Sequence, residues 1–287
     1  MSGSLNSVNT NVGAMIALDS LDATNSALNA VQKQISTGYR VADATDDGAA
    51  YAVAQSVRSS VSALTSANQQ LGSTQGLLST TSSALNDTSN LMASMRDVLV
   101  ALSNGATQGN ERTQYESQYN SLLANVKSFV EDANYNGQTL IGNITGSSGT
   151  FEHIAVVRNE VGSTYGIGTF SGSALYGSLA FTSTTLNGAS TVAALITATG
   201  QFINQFNSVG SALNIYGSAI SYVNNQLSYN SDKINSLNAG LGSLVDANLA
   251  QESALLQALQ IKQQLATQSL TLADQTPQIL LSLVKGA

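Results

Sequence analysis

The chain has 287 residues, 43% of them apolar and only 9% charged, with formal net charge −7. It has no Cys, no Trp, one Pro and one His, which excludes a disulfide scaffold, a thiol enzyme and a Cys-ligated metal site. Ten basic residues against 17 acidic ones argue against a nucleic-acid partner, because phosphate binding needs a basic face. The first residues, Met1 to Ser7, lack a basic and an apolar stretch of the secretory kind, so no general secretory signal is expected. No apolar run approaches the ~20 residues that span a bilayer, so no membrane insertion is expected.

Apolar periodicity is the strongest signal. The N-terminal stretch has Leu5, Val8, Val12 and Met15 on one stripe, then Leu18, Leu21 and Leu28, with Val31 and Ile35 alongside. Thr37-Gly38 ends that pattern, and Asp46 and Asp47 are placed to cap the next helix. From Val57, a large apolar residue recurs every seventh position: Leu64, Leu71, Leu78, Leu85, Met92, Leu99. A strict seven implies left-handed supercoiling against partners. The pattern predicts a helix from about Ala54 to Leu102, on the order of 70 Å long. Its companion positions, Asn68, Gln75, Ser82 and Ser89, are polar.

Ser103 to Ala106 reads as a break. A second helix follows, with the stripe Tyr115, Tyr119, Leu122, Val126 and Phe129. It ends at Asn134 to Gly137, a turn signal of the Asn-Gly type. Residues 140–186 are rich in Gly, Ser and Thr. Phe151–Arg158, Thr164–Phe170 and Leu179–Thr184 read as short strands joined by turns.

Helix resumes near Thr191. From Phe202 a four-three step runs through Phe206, Val209, Leu213, Tyr216, Ile220, Val223, Leu227, Asn230, Ile234, Leu237, Leu241 and Leu244. Such a run without Pro predicts a long helix in a coiled coil or bundle. Gly240 and Gly242 mark a weak spot. Beyond them the register moves to Val245, Leu249, Leu256, Leu259, Ala266 and Leu270, and a last apolar cluster holds Leu280 and Leu283. The expected fold is therefore mainly α, a long-helix coiled-coil bundle with a small β region inserted. The two ends are expected to pair as an antiparallel coiled coil.

The charges missing from the outer faces point to partners. The first 37 residues carry only Asp19, Asp22 and Lys33. Asn, Ser, Thr, Gln and Ala stand where a solvated helix usually carries Lys, Glu and Arg. Uncharged faces are desolvated at modest cost, whereas a lone buried charge costs far more. The expected coverings are other copies of the same chain, with the end helices ordering on assembly.

Other site patterns are weak. His153 has no partner of the His-Glu-x-x-His kind. Asp43, Asp46 and Asp47 lack the terminal bidentate Glu of a calcium loop and read as capping. Gly166-Ile167-Gly168 lacks a third Gly and a helix start. Ser173 sits in no nucleophile elbow. Asn143-Ile144-Thr145 has the form of an N-glycosylation sequon. No catalytic residue, cofactor or metal site is expected.

Four stretches carry a family resemblance. They are Asn6 to Asn11; Ile35 to Val41 followed by Asp46 to Ala50; Tyr135-Asn136-Gly137; and Val245 to Ser253 followed by Gln263 to Leu265 and Ala273 to Pro277. Together they resemble the bacterial flagellins, the subunits of the flagellar filament. The resemblance implies an inner layer (D0) of terminal helices at residues 1–40 and 241–287. It also implies a second layer (D1) at 41–139 and 191–240, and a β-rich variable region at 140–190 with little or no outer domain. D0 packing would fall to Leu5, Val8, Val12, Met15, Leu21, Leu28, Val31, Ile35, Val245, Leu249, Leu256, Leu259, Leu270, Leu280 and Leu283. The D1 core would hold Leu64, Leu71, Leu78, Leu85, Met92, Leu99, Leu122, Val126, Phe206, Leu213, Ile220 and Leu227. O-glycosylation would fall on Ser147, Ser148, Thr150, Ser171 or Ser173.

The resemblance further implies a non-enzymatic, extracellular homopolymer for swimming, exported unfolded through the flagellar type III apparatus. Implied partners are an export chaperone at the C-terminal helix and the filament cap and hook-junction proteins. Glycines 38, 240 and 242 would give the joint between layers its compliance. Two charged positions that some flagellins present to the animal innate-immune receptor are Ser94 and Gln118 here, with Arg96 retained, which implies weak or no activation. A hook–filament junction protein and a monomeric secreted adhesin or immune ligand are the alternatives.

Overall fold

The computed structural model describes residues 10–142 and 154–285, with side chains as far as residue 275. Leu5, Val8, Asn143, Ser147, Ser148, Thr150 and His153 lie outside the described residues, as do the side chains of Leu280 and Leu283. The described elements run α1 Val12–Thr37, α2 Gly48–Ser103, α3 Gly109–Asp132, β1 Ile154–Val157 and β2 Thr164–Ile167. They continue with α4 Gly172–Leu179, α5 Ser183–Asn187, α6 Ala189–Leu195, α7 Gln201–Val245 and α8 Leu249–Lys285. The fold is mainly α, with long helices and one small antiparallel sheet.

The chain divides into two compact units, one of Met1–Ser59 with Ser236–Ala287 and one of Ser60–Asn235. In the first, α1 opens on Asn11, whose Oδ1 accepts from the Ala14 amide at 3.0 Å. It closes on Gly38, whose φ of 73° suits a residue without Cβ and whose N–H donates to the Gln34 carbonyl at 2.9 Å. Asp47 caps α2, its Oδ1 accepting from the Ala49 and Ala50 amides at 3.0 Å each. Asp46 instead accepts from the amides of Ala42 and Asp43. The glycine pair at 240 and 242 does not end α7, which runs on to Val245. A glycine costs a helix about 1 kcal/mol, too little to stop one of this length.

In the second unit, the seven-residue series of α2 from Leu64 to Leu99 is fully buried. The other half of its seam is Ala67, Thr81, Thr88, Met95 and Leu102, all buried. These lie three residues after the large apolar ones; the positions four after, beginning with Asn68, are less buried. On α7, Phe202, Val209, Tyr216, Val223 and Asn230 are at most 1% exposed. Phe206, Leu213, Ile220 and Leu227 pack beside them, half-buried. On α3 the buried face is Tyr119, Leu123, Val126 and Val130. Leu122 is half-buried and Phe129 exposed, one position off the expected stripe.

The Asn-Gly turn forms as read: Asn136 and Gly137 take φ of 52° and 77°, and Tyr135 and Gln138 exchange both backbone hydrogen bonds. β1 and β2 pair antiparallel with Ile154 opposite Ile167 and Val157 opposite Thr164. No strand forms over 179–184. That span holds the end of α4 and the start of α5. The hydroxyls of Ser171 and Thr182 cap these helices by accepting from the Ala174 and Thr185 amides, which overrides the β-branched composition.

Buried polar groups fasten the second unit. Tyr119 Oη donates to the Leu179 carbonyl at 2.8 Å, and Tyr216 Oη to the Leu140 carbonyl at 3.1 Å. Burial pushes the Tyr216 phenol up to about 12 and raises that of Tyr119 as well. The Arg112 guanidinium, 7% exposed, donates to the carbonyls of Thr107 and Leu186. One side chain thereby ties the α2–α3 turn to the end of α5.

Candidate assembly surface

The paired helices α1 and α8 expose large apolar side chains. α1 and α8 run antiparallel. Asn11 Nδ2 donates to the Ala273 carbonyl at 2.7 Å, Gln263 Nε2 to Asn25 Oδ1 at 2.7 Å, and the Ala247 amide to the Gly38 carbonyl at 2.9 Å. The seam on α1 is Leu21, Thr24, Leu28, Val31 and Ile35, stepping three and four. Thr24 fits it because its hydroxyl donates back to the Ser20 carbonyl at 2.7 Å. On α8 the seam is Leu256, Leu259, Gln263, Ala266 and Leu270.

This seam is narrow. Among the described residues Leu28, Val31 and Leu259 form its buried apolar cluster, with Ala27, Ile35 and Leu256 half-buried against them. Val245 lies elsewhere, with Val41, Ala50 and Ala54 in a second small cluster. Val12, Met15 and Leu249 are exposed. Exposed as well are Ile16, Leu18, Leu255, Ile261, Leu265 and Leu272. Apart from Leu18, these were not singled out by the seam pattern. They fall on the outer flanks of both helices, off the stripe that the seam spacing marks. Ile16 and Leu265 flank a groove of about 390 Å³ between α1 and α8, with Gly13, Ala17 and Ala266 in its lining.

The end of α1 is fixed electrostatically. Lys33 Nζ contacts Asp43 Oδ2 at 2.7 Å and Asp46 Oδ1 at 2.8 Å. The hydrogen bond to Lys33 holds the Asp43 carboxyl far below the carboxylate range, helped by donors from Thr45. Asp46 is lowered by Lys33 and by the amides of Ala42 and Asp43. Lys33 is raised in turn by the two carboxylates. Backbone pairing continues the join: the Arg40 and Val41 amides both reach the Val245 carbonyl, at 2.7 and 3.3 Å. The Arg58 guanidinium lies 5.8 Å over the centre of the Tyr39 ring.

The sites expected in the second unit are plain surface. Ser171 and Ser173 are exposed, with their hydroxyls 3.3 Å apart. Ser94, Arg96 and Gln118 are exposed too. Among the described residues no helix is long and apolar enough to cross a membrane.

These features define a mainly α-helical chain whose paired helices α1 and α8 expose apolar side chains. Residues 8–145 match the bacterial flagellin N-terminal helical region and residues 196–284 match the bacterial flagellin C-terminal helical region. The chain is 31% identical to flagellin FljK of Caulobacter vibrioides, over 98% of this chain and 99% of the relative. It is 30% identical to a flagellin of Brucella melitensis over the same shares. The crystal structure of Bacillus cereus flagellin matches 56% of this chain and 88% of its own, with a TM-score of 0.47 and 19% identity. The chain belongs to the bacterial flagellin family, whose members are structural subunits of the extracellular flagellar filament and not enzymes.

Proposed function

We propose that the chain polymerises into a flagellar filament that drives swimming, and that its terminal helices become fully ordered only when other copies surround them. The observation that carries this reading is the mismatch on α1 and α8. Among the described residues their buried apolar cluster is Leu28, Val31 and Leu259, with Ala266 buried further along α8, while Ile16, Leu18, Leu255, Ile261, Leu265 and Leu272 face water. Two helices of this length sharing so small a core are marginal by themselves. Exposed apolar side chains in that number mark a surface that partners cover. Asp19, Lys262 and Asp274 are the charges nearest these positions and most of the other neighbours are uncharged, so covering the surface strands few ions.

In this reading Val12, Met15 and Leu249 serve contacts between copies, and Leu5, Val8, Leu280 and Leu283 belong to the same D0 packing. Leu21, Leu28, Val31, Ile35, Leu256, Leu259 and Leu270 serve the pairing within one chain, and Val245 the small cluster beside it. The same reading includes export of the unfolded chain, a chaperone on the C-terminal helix, and contacts with cap and hook-junction proteins. Ser171 and Ser173 are exposed sites for sugar addition, and Ser94 and Gln118 predict little receptor activation in a reporter assay.

The test is electron microscopy of the purified full chain after salting out, beside Ile16→Asp/Leu265→Asp. Both side chains are exposed in the single chain, so helix content should stay unchanged while long filaments disappear. A hook-junction protein or a monomeric adhesin would give no long filaments by itself. Filaments formed equally well by the double variant would refute the role of the ends.

A further inference from the structure

We propose that the cavity at the α2–α3 turn is a binding site for a small oxyanion of the phosphate or sulfate kind, held by Arg112 and the start of α3. The cavity holds about 460 Å³ and is lined by Gly105, Thr107, Gln108, Gly109, Arg112 and Asn187, with Ala189 at its side. It lies within the second unit and is independent of the filament reading. Arg112 is 7% exposed. A guanidinium carries five N–H donors. Nη1 donates to the Thr107 carbonyl and Nη2 to the Leu186 carbonyl, while the buried Nε has no hydrogen-bond partner. Glu116 Oε1 lies 3.9 Å from Nε, too far for a hydrogen bond, and is itself unpartnered. A buried cation with an unmet donor favours an added anionic acceptor.

The same cavity takes in the first turn of α3. Gln108 is the N-cap, yet its side chain makes no capping bond. Its Nε2 donates instead to the Gly105 carbonyl at 3.0 Å. The first amides of α3 thus lack a side-chain acceptor, at the helix end that attracts negative charge. Gly109 takes a φ of 60°, and a left-handed residue leading into right-handed ones turns successive amides toward one point, a concavity suited to anions. A planar guanidinium fork beside such amides selects an oxyanion over a halide. Two carboxylates oppose it. Glu116 is half-buried one turn further along α3, and Glu111 is exposed in the first turn, where water and salt screen it. The affinity is accordingly modest, in the millimolar range.

The test is a nuclear magnetic resonance titration of the dispersed full chain with inorganic phosphate, beside chloride at equal ionic strength. Phosphate is expected to give saturable shifts of the Arg112 Nε–H and of the amides of residues 109–111, and chloride none. Asn187→Asp adds a carboxylate at the rim on an exposed residue, and is expected to weaken phosphate about tenfold with helix content unchanged. Arg112→Lys keeps the charge, loses the fork and is expected to abolish saturation. Arg112→Lys tests the buried group itself, and Asn187→Asp keeps the test open if that variant does not fold. Phosphate shifts no larger than those of chloride would leave water as the filler of the cavity and overturn the site. Equal phosphate affinity in Asn187→Asp, or in folded Arg112→Lys, would overturn it too. Each of these results leaves the filament reading standing.

Discussion

Asn230 Nδ2 on α7 donates to Asn68 Oδ1 on α2 at 2.8 Å. The same nitrogen donates to the Arg158 carbonyl at 3.0 Å, and Asn230 Oδ1 accepts from Gln226 Nε2 at 2.9 Å. Asn230 is fully buried, so one amide fixes α7 against α2 and against the end of the hairpin together. Asn230→Leu restores the apolar stripe and leaves three polar partners without it. An unmet buried polar group costs about 1–3 kcal/mol. The expected outcome is a lower denaturation midpoint, read by far-ultraviolet circular dichroism in urea. A midpoint equal to or above the parent would show that the amide is dispensable.

Thr81 and Thr88 predict the opposite sign. Both are fully buried in the α2 seam, and neither Oγ1 has a hydrogen-bond partner. Thr→Val at either position removes an unpaired hydroxyl and keeps the branched shape. Each is expected to stabilise the chain by about 1 kcal/mol, measured as a rise in thermal midpoint.

These threonines also show where the sequence stops being informative. The strict seven from Leu64 to Leu99 needs nothing else to be read, because large apolar residues mark one stripe unambiguously. Its companion stripe is hidden, since Ala67, Thr81 and Thr88 are small or polar and look like surface. On α3, Leu122 and Leu123 are adjacent, as are Phe129 and Val130, so periodicity alone cannot say which member faces inward. No third strand forms over 179–184 because the capping hydroxyls of Ser171 and Thr182 start helices there, which outweighs the β-branched content. Ile16 and Leu265 lie off the apolar stripe that the spacing marks, so periodicity along one seam does not reveal that flank. Long-range polar links such as Asn68 to Asn230, or Arg112 to the Leu186 carbonyl, depend on tertiary placement that no local spacing encodes.

Acid should loosen the segment after α1. Asp43 and Asp46 titrate below their ordinary 3.8 because Lys33 and backbone amides favour the charged form. A depressed carboxyl contributes its stabilisation above the unfolded value and loses it as pH falls toward the folded one. Lys33 is raised from 10.5, so its share persists below that pH and fades as pH rises through its folded value. The cluster is thus intact between about pH 5 and 10 and weakens below about pH 4. Nuclear magnetic resonance titration should place both carboxyls below 3.8, and Lys33→Met should move them back up. Unmoved midpoints in that variant would remove Lys33 as the cause.

Two glycines should respond oppositely to alanine. A Cβ on Gly172 would lie 2.3 Å from Val130 Cγ1 and 3.1 Å from the Ile141 carbonyl oxygen. Gly172→Ala is expected to destabilise by about 1–3 kcal/mol through overpacking. Gly217, inside α7, has open space around its added Cβ, and Gly217→Ala should stabilise by about 0.5–1 kcal/mol. Urea midpoints of both variants check the pair.

The most direct measurement is amide hydrogen exchange of the full chain as dispersed subunit and as assembled polymer, resolved over α1 and α8. Ordering by neighbouring copies predicts fast exchange across both helices in solution and strong protection in the assembly, while the second unit stays protected in both. Equal, strong protection of α1 and α8 in the dispersed subunit would contradict it.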